Sequence, residues 1–570
     1  MQATEQHTAI DKDIQVLQAS KQNWVDLSVS AKIDILKIIR KNVGAHAQEW
    51  VDLSVKNKQI DPKSSIVGEE WASGPWATAA GISAFLDTLE AVEKGTTKKL
   101  IKKIGKRPDG QLKLKVFPAN IYDVLLLNEI EGEVWMQKSV NESNLSEHMA
   151  TFYQQKSPKG KVSLILGAGN INSIPPLDLL YNLIVKGEVV ILKMNPINDY
   201  LTPLFNTIFE PLVKGGYLRI TNGDGKVGAY LTAHPDIECI HITGSERTHD
   251  LIVYGGGEAG KKRKANNTPL LDASKPISSE LGGIGPMIVV PGPWTKADIN
   301  YQAKNIVTAK LHNGGHNCVA SQVLVLPKTW DKSAALLKSV HDKLESVASR
   351  PAYYPGSSDR QKDMMKAYPQ AEEMAGDVPR TLATGLDASN KDEYAFCTEF
   401  FGPMYSQTEL DGDTPLEFLQ NAVKFSNENL HGTLGATILI HPKTMKEMGS
   451  AFEDCLAEMK YGAIGVNIWN GVVFLLAQCS WGAYPGHTYD DIQSGIGVVH
   501  NSLMLEDVEK SVLYGPFRGA PRALNLAPPS PPWFVTNRTA ATTMRRLTKF
   551  AVSPSPLHLP GIFAAALTGG

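Results

Sequence analysis

Cys318 has the surroundings of a nucleophile. It sits in LHNGGHNCVASQ, with two glycines and two asparagines just before it and a β-rich run (VLVL) just after. A thiol at a loop–strand junction, flanked by glycines that let a ligand approach the backbone, is suited to attack a carbonyl carbon. A lone cysteine more often packs as a small hydrophobe, but Gly-Gly-His-Asn is poor packing material. His316, two residues upstream, suggests a Cys/His thiolate pair. On an extended segment, however, positions i and i−2 share a face without in-line placement, which disfavours that dyad. Glu280 stands in SSELGG. A carboxylate followed by Leu-Gly-Gly has little bulk beside it, so it can move and admit water, as a general base must. The motif alone reads equally well as an exposed glutamate before a turn.

Three further signals fall at strand ends. Asn170 closes the run 161–166 (KVSLIL), and its amide would be a fixed donor at the ligand-binding edge of a parallel sheet. Lys193 ends VVILK and would point an amine at the same crevice. Gly244-Ser245 follows IECIHIT and faces out of a strand-to-helix turn, a place suited to phosphate or ribose. Each alone has an ordinary reading as a turn asparagine, a solvated strand terminus or a simple turn. Together, and in this order, they point to one site.

The elements that must position these residues follow a strand–helix rhythm. Leu177, Leu180, Tyr181 and Ile184 lie at i, i+3, i+4, i+7 after the first strand, and Leu204, Ile208 and Leu212 mark another helix. Buried strands alternating with helices predict a parallel sheet covered on its faces, an α/β fold with a Rossmann-like, doubly wound unit. Further strands are expected at 287–290, 323–326 and 437–440. The first ~95 residues read as helical, with Ile35, Leu36, Ile39 and Val43 on one stripe. Residues 112–137 read as three short strands (LKLKVF, DVLLL, GEVWMQ). From Ser511 onward there are nine prolines, six Lys/Arg and no Asp or Glu, which predicts a tail over the surface or onto a neighbouring subunit.

Composition excludes several classes. Lys+Arg 57 against Asp+Glu 59 leaves a formal charge of −2, so no overall field draws the chain to nucleic acid or anionic lipid. Two basic runs, 98–115 and KKRK at 261–264, lack interleaved aromatics and read as solvated or edge-protecting lysines. Five scattered cysteines without a C-x-x-C pair argue against disulfides and zinc. No secretory start and no apolar run near the ~18 residues of a membrane span make a reducing cytoplasm the expected address, with no metal.

At this point the sequence resembles the aldehyde dehydrogenase superfamily, from about residue 161 to 497. The segment 223–245 is similar to that leading into the family's Phe-Thr-Gly-Ser turn, and SSELGG to its Leu-Glu-Leu-Gly-Gly motif. GGHNCVAS is similar to its Gly-Gln-x-Cys motif, and TEFFGP (398–403) to its Glu-Ile-Phe-Gly-Pro. The resemblance implies that Cys318 attacks the aldehyde and that Asn170 and the Cys318 N–H form the oxyanion hole. Glu280 would activate the hydrolytic water, Lys193 hold the adenosine ribose and Gly244-Ser245 face the pyrophosphate. Glu399 would grip the nicotinamide ribose, with Phe401 packing nearby. The product would be a carboxylic acid, with hydride passed to NAD or NADP. It further implies a cofactor domain (1–129 and 158–281), a catalytic domain (282–485), a bridging element (130–157 and 486–510, a hairpin plus a strand near Leu503) and the tail 511–570. An exposed bridge strand would call for a homodimer or tetramer.

The sequence departs from the family in places. The glutamate expected three residues after Lys193 is Pro196, which leaves NAD against NADP open. A glycine of the phosphate turn is His249, the segment 255–276 is longer and more polar, and 471–486 differs in detail. Competing readings are an acyl-transferring relative using coenzyme A, disfavoured by Glu280; a cofactor-free thioesterase; and a binding protein on a retired scaffold, disfavoured by the full residue set.

Overall fold

Residues 2–518 and 530–569 are described in the computed structural model. The apolar runs bounded by glycine or asparagine form the strands Val162–Leu166, Val189–Lys193, Leu218–Thr221, Cys239–Gly244 and Ile277–Leu281. These five pair in parallel. A short strand, Gly495–Ile496, adds antiparallel to Ile277–Leu281, with Gly495 opposite Glu280. The helix Ile174–Ile184 is buried along its whole length. It starts on Pro175 and Pro176, whose missing N–H groups fall where a helix has no partner for them. The helix expected through Leu212 divides into Thr202–Ile208 and Glu210–Lys214, because Pro211 cannot continue the ladder.

The second sheet has eleven strands. Its parallel core runs Val508–Tyr514, Ala463–Val466, Gly435–Leu439, Gly285–Val289, Ser321–Pro327, Met404–Leu410 and Arg380–Leu386. Glu131–Met136, Leu112–Phe117 and Lys103–Lys106 extend it antiparallel at one end, and Glu372–Met374 at the other. The lysine-rich run 98–115 thus supplies an edge strand, where charge deters unwanted pairing.

Three expectations need correction. DVLLL lies in a helix, Ile121–Leu126, closed by a reciprocal capping box between Asn120 and Asp123, which outweighs the β-rich composition. The partners of Glu131–Met136 are the preceding strand and Val508–Tyr514, not a segment within 137–157. There, side-chain turns around Asn141 and Asn144 satisfy the backbone locally. The strand near Leu503 is Val508–Tyr514 and pairs on both sides within the chain, so it offers no open edge that calls for a second copy.

The segment 511–570 begins inside that strand, and residues 519–529 lie outside the described residues. Beyond them, Ala540–Val552 and Leu559–Leu567 are helices. The first packs on the N-terminal helices so closely that a Cβ at Gly68 would lie 2.6 Å from the Ala540 carbonyl carbon. No described helix is long and apolar enough to cross a membrane, and no group of three His, Cys, Asp or Glu among the described residues could hold a metal ion.

Candidate active site

The chain winds outward from Val162–Leu166 to Leu218–Thr221, then returns to the other flank with Cys239–Gly244. The crevice beyond the carboxyl ends of these strands is a topological switch point, where such sheets bind ligands. A cleft of about 1080 Å³ opens there, lined by Gly167, Lys193, Asn195, Asp224, Gly244 and Thr248 among others. Lys193 is only 8% exposed, and its ammonium takes no hydrogen bond or ion pair among the described residues. Burial lowers its pKa, and Asp224 and Asp199 oppose that. Ser245 caps the helix Glu246–Tyr254 by accepting the Thr248 N–H. His249 is fully buried, stands 5.9 Å from the Tyr489 ring and does not line the cleft.

Glu280 lies on the strand next to the one that carries the Gly244-Ser245 turn. Its neighbour strand pairs Thr243 with Glu280 and Gly244 with Leu281, so the turn and the acid advance together. The segment Ser494–Gly497 braces this strand: Leu281 N–H donates to the Ser494 carbonyl and Ser494 Oγ to the Gly282 carbonyl, both at 2.9 Å. Glu280 is 2% exposed, and neither carboxyl oxygen has a partner of hydrogen-bond geometry among the described residues. Burial, then the Asp178 charge, raises its pKa to about 8, against the pull of the neighbouring Cys318 thiol and Trp481 indole. Asp178 itself is an anion. Burial works to raise it, but hydrogen bonding to His241 and His500 holds it down to about 2.

Cys318 follows a tight turn in which Asn313, Gly314 and Gly315 all have positive φ (56°, 64° and 77°). A side chain at Gly315 would collide with the Gly402 carbonyl, so this glycine lets the Glu399 segment close on the cysteine loop. Cys318 keeps part of its surface open, yet it is packed densely enough that burial, then Glu280, pushes its thiol well up. Asn170 Nδ2 donates to the His316 carbonyl at 2.9 Å, which fixes its amide beside the cysteine loop and leaves a second N–H. The Cys318 N–H donates to no other backbone group among the described residues. His316 is no partner for the thiol. Its ring nitrogens meet Ser357 Oγ at 2.6 Å and the Asn313 carbonyl at 3.1 Å, and burial lowers its pKa to about 3.

Glu399 is seated against Gly282, where any side chain would collide with its carboxylate. Burial raises it to about 7, opposed by Lys310. Gln322 clamps its segment, donating to the Ala395 and Thr398 carbonyls and accepting the Phe400 N–H. Phe401 has a positive φ of 39° and stacks edge-on with Tyr354 at 4.9 Å. The structure thus brings Cys318, Glu280, Asn170 and Glu399 together and places Lys193 and Gly244 in the lining of the neighbouring cleft, with Ser245 at the helix cap next to Gly244.

The aldehyde dehydrogenase family profile matches residues 126–472. The chain belongs to the aldehyde dehydrogenase family. It is 26% identical over 276 residues to the 2-hydroxymuconic semialdehyde dehydrogenase of Pseudomonas sp. strain CF600, a match covering 47% of this chain and 50% of that protein. The chain spans about half the length of the curated relatives it matches. Its fold is similar to that of an NAD-dependent aldehyde dehydrogenase from Sinorhizobium meliloti, with TM-score 0.55, 17% identity and coverage of 90% and 88% of the two chains. It is also similar to P. syringae indole-3-acetaldehyde dehydrogenase in complex with NAD+, with TM-score 0.59, 16% identity and coverage of 89% and 88%.

Part of the support of this site, Lys58, Glu69 and Glu70, lies outside the matched residues, and no local sequence pattern announces it. Lys58 is fully buried and donates to Glu70 and to the Asn170 carbonyl at 3.1 Å. Arg350 bridges Glu70 and Glu69, and Glu69 accepts the Asn313 N–H at 2.8 Å. Tyr353 donates to the same Asn170 carbonyl at 3.0 Å. Two cations and two anions, all desolvated, thereby hold the backbone behind both Asn170 and the cysteine loop. Breaking such a set leaves a buried charge unpaired, so Lys58→Met is expected to cost about 3–5 kcal/mol of stability. Chemical denaturation measures it, and a loss below about 1 kcal/mol would show the set to be energetically idle.

Proposed function

We propose that this chain oxidises a small aldehyde to its carboxylic acid through a covalent intermediate on Cys318, with NAD or NADP as hydride acceptor. The observation that carries the reading is a buried Glu280 carboxyl, without a hydrogen-bond partner among the described residues, beside the Cys318 thiol and paired across the sheet with Thr243, which lines a cleft of about 1080 Å³.

The Cys318 thiol gives up its proton to solvent, and sulfur bonds to the carbonyl carbon. The Asn170 amide and Cys318 N–H take the developing oxyanion; one such donor contributes about 3–4 kcal/mol of barrier lowering. A bound dinucleotide supplies the hydride acceptor that turns the thiohemiacetal into a thioester. Glu280 then takes a proton from water as the new C–O bond forms and returns it to sulfur as the C–S bond breaks, which releases the acid and restores the thiol. Lys193 binds a ribose hydroxyl, the Gly244-Ser245 turn faces the pyrophosphate, and Glu399 holds the nicotinamide ribose with Phe401 beside it. The similar fold of the P. syringae indole-3-acetaldehyde dehydrogenase, solved in complex with NAD+, supports this reading of the cleft.

Gly282 offers a check on Glu399. Gly282→Ala would push the Glu399 carboxylate from its seat, and a displacement of about 1 Å at a positioning group costs on the order of 10–100-fold in kcat/KM. Steady-state kinetics should show that loss with the fold intact by circular dichroism; an unchanged kcat/KM would remove Glu399 from the site.

The proposal as a whole is tested with a panel of aldehydes and both dinucleotides, following reduced-nicotinamide absorbance and acid formation together. Equal amounts of acid and reduced dinucleotide are expected. Turnover that needs coenzyme A and yields no acid, or ester hydrolysis without any dinucleotide, would overturn it.

A further inference from the structure

The position three residues beyond Lys193 is Pro196, which has no side-chain donor or acceptor. Asn195 does not replace the lost carboxylate, since its Oδ1 already accepts the Ile197 N–H at 3.1 Å. Across the cleft, however, Asp224 stands at the head of the helix Gly225–Ala233 and lines the same groove as Lys193. Its Oδ1 accepts the Lys226 and Val227 N–H groups at 2.9 and 3.3 Å, while Oδ2 takes no hydrogen bond among the described residues. Lys193, more than nine-tenths buried and unpartnered, faces into that space. Beside them Gly228 has nothing within 4 Å of where a Cβ would stand, which leaves room for a flat ring.

The nearby cations are otherwise placed or engaged. Lys226 does not line the groove, Arg219 pairs with Asp13 at 3.1 Å, and Lys275 donates to the Thr232 and His234 carbonyls. Lys161 lies at the opposite end of the strand Val162–Leu166. A phosphate at this end of the cleft would meet one lysine and an open carboxylate oxygen. A ribose hydroxyl would find an acceptor there. In doubly wound folds a carboxylate on the 2′-hydroxyl is what favours NAD, and its loss is what admits a 2′-phosphate.

We infer that Asp224 accepts the 2′-hydroxyl of the adenosine ribose beside Lys193 and so makes this chain selective for NAD over NADP. The position vacated by Pro196 is refilled in space from another element. This inference rests on the proposed function.

The test is fluorescence titration of the full chain with NADH and NADPH, for the wild type, Asp224→Asn and Asp224→Ser. Both replacements keep an acceptor able to cap the helix, so the change isolates the charge. The wild type should bind NADH roughly tenfold or more tightly than NADPH, since like-charge juxtaposition strongly suppresses the wrong partner. Both variants should move the ratio toward NADPH by a similar factor, through gained NADPH binding. A wild-type ratio near unity or favouring NADPH, or variants with the ratio unchanged, would overturn the inference and leave the proposed function standing. Failure to bind either dinucleotide would overturn both.

Discussion

Cys318→Ala is expected to abolish aldehyde oxidation while the chain still binds a nicotinamide dinucleotide. Removing a nucleophile whose bond to the substrate defines the intermediate costs on the order of 10⁴-fold or more in kcat, so turnover should fall to background. Binding should survive because the cleft's lining comes from other strands: Lys193, Gly244 and Thr248 do not depend on the cysteine loop. The sulfur is also a small loss to the fold, since Cys318 is partly open and its loop is held by the Gly315 approach and the Asn170 contact. Absorbance of reduced nicotinamide and a dinucleotide titration on the same preparation measure both halves. Residual turnover well above background would remove Cys318 as the nucleophile.

Glu280→Gln should separate the two halves of the reaction. Glutamine fills the same volume but accepts no proton, and loss of a positioned base slows its step by about 10²–10⁴-fold. Rapid mixing should show a burst of about one reduced dinucleotide per site, as expected of an accumulating covalent intermediate, then a slow steady state. The pH dependence follows from the acid's environment. Burial, with the Asp178 charge, raises Glu280 to about 8, so the base form appears only as pH climbs through that value. Wild-type hydrolysis should therefore rise with pH up to about 8 and then level, whereas the variant's slow rate should lack that rise. The same shift bears on folding. Between the ordinary 4.5 and about 8 the native chain holds a proton that the unfolded chain has lost, so this group weakens the fold as pH rises across that window. Glutamine removes that slope. A steady state indistinguishable from wild type, with no burst, would end the assignment of Glu280.

The parts legible in sequence are those whose signal is local. Val162–Leu166, Val189–Lys193 and Cys239–Gly244 are short apolar runs closed by Gly, Lys or Asn, and periodicity with punctuation is enough to find them. Cys318 and Glu280 stand beside glycine pairs, and the structure shows why: Gly315 admits Gly402, and Gly282 admits Glu399. The rest depends on segments far apart in the chain. Nothing near Lys58 or Arg350 announces that the two meet around Glu70, and Gln322 looks like any strand residue until Phe400 closes on it. His316 reads as a partner for Cys318 in one dimension and turns to Ser357 in three. The helix Ile121–Leu126 shows local polar chemistry overriding apolar composition, through one asparagine and one aspartate. The C-terminal helices were hidden by proline content, although Ala540–Val552 buries Thr543, Met544, Thr548 and Phe550.

The most direct test of the account is peptide mass spectrometry of Glu280→Gln quenched shortly after mixing with aldehyde and dinucleotide. The acyl group is expected on Cys318, in an amount matching the reduced dinucleotide formed in the burst. Reduced dinucleotide accumulating while Cys318 stays unmodified, or an adduct found on another of the cysteines, would contradict it.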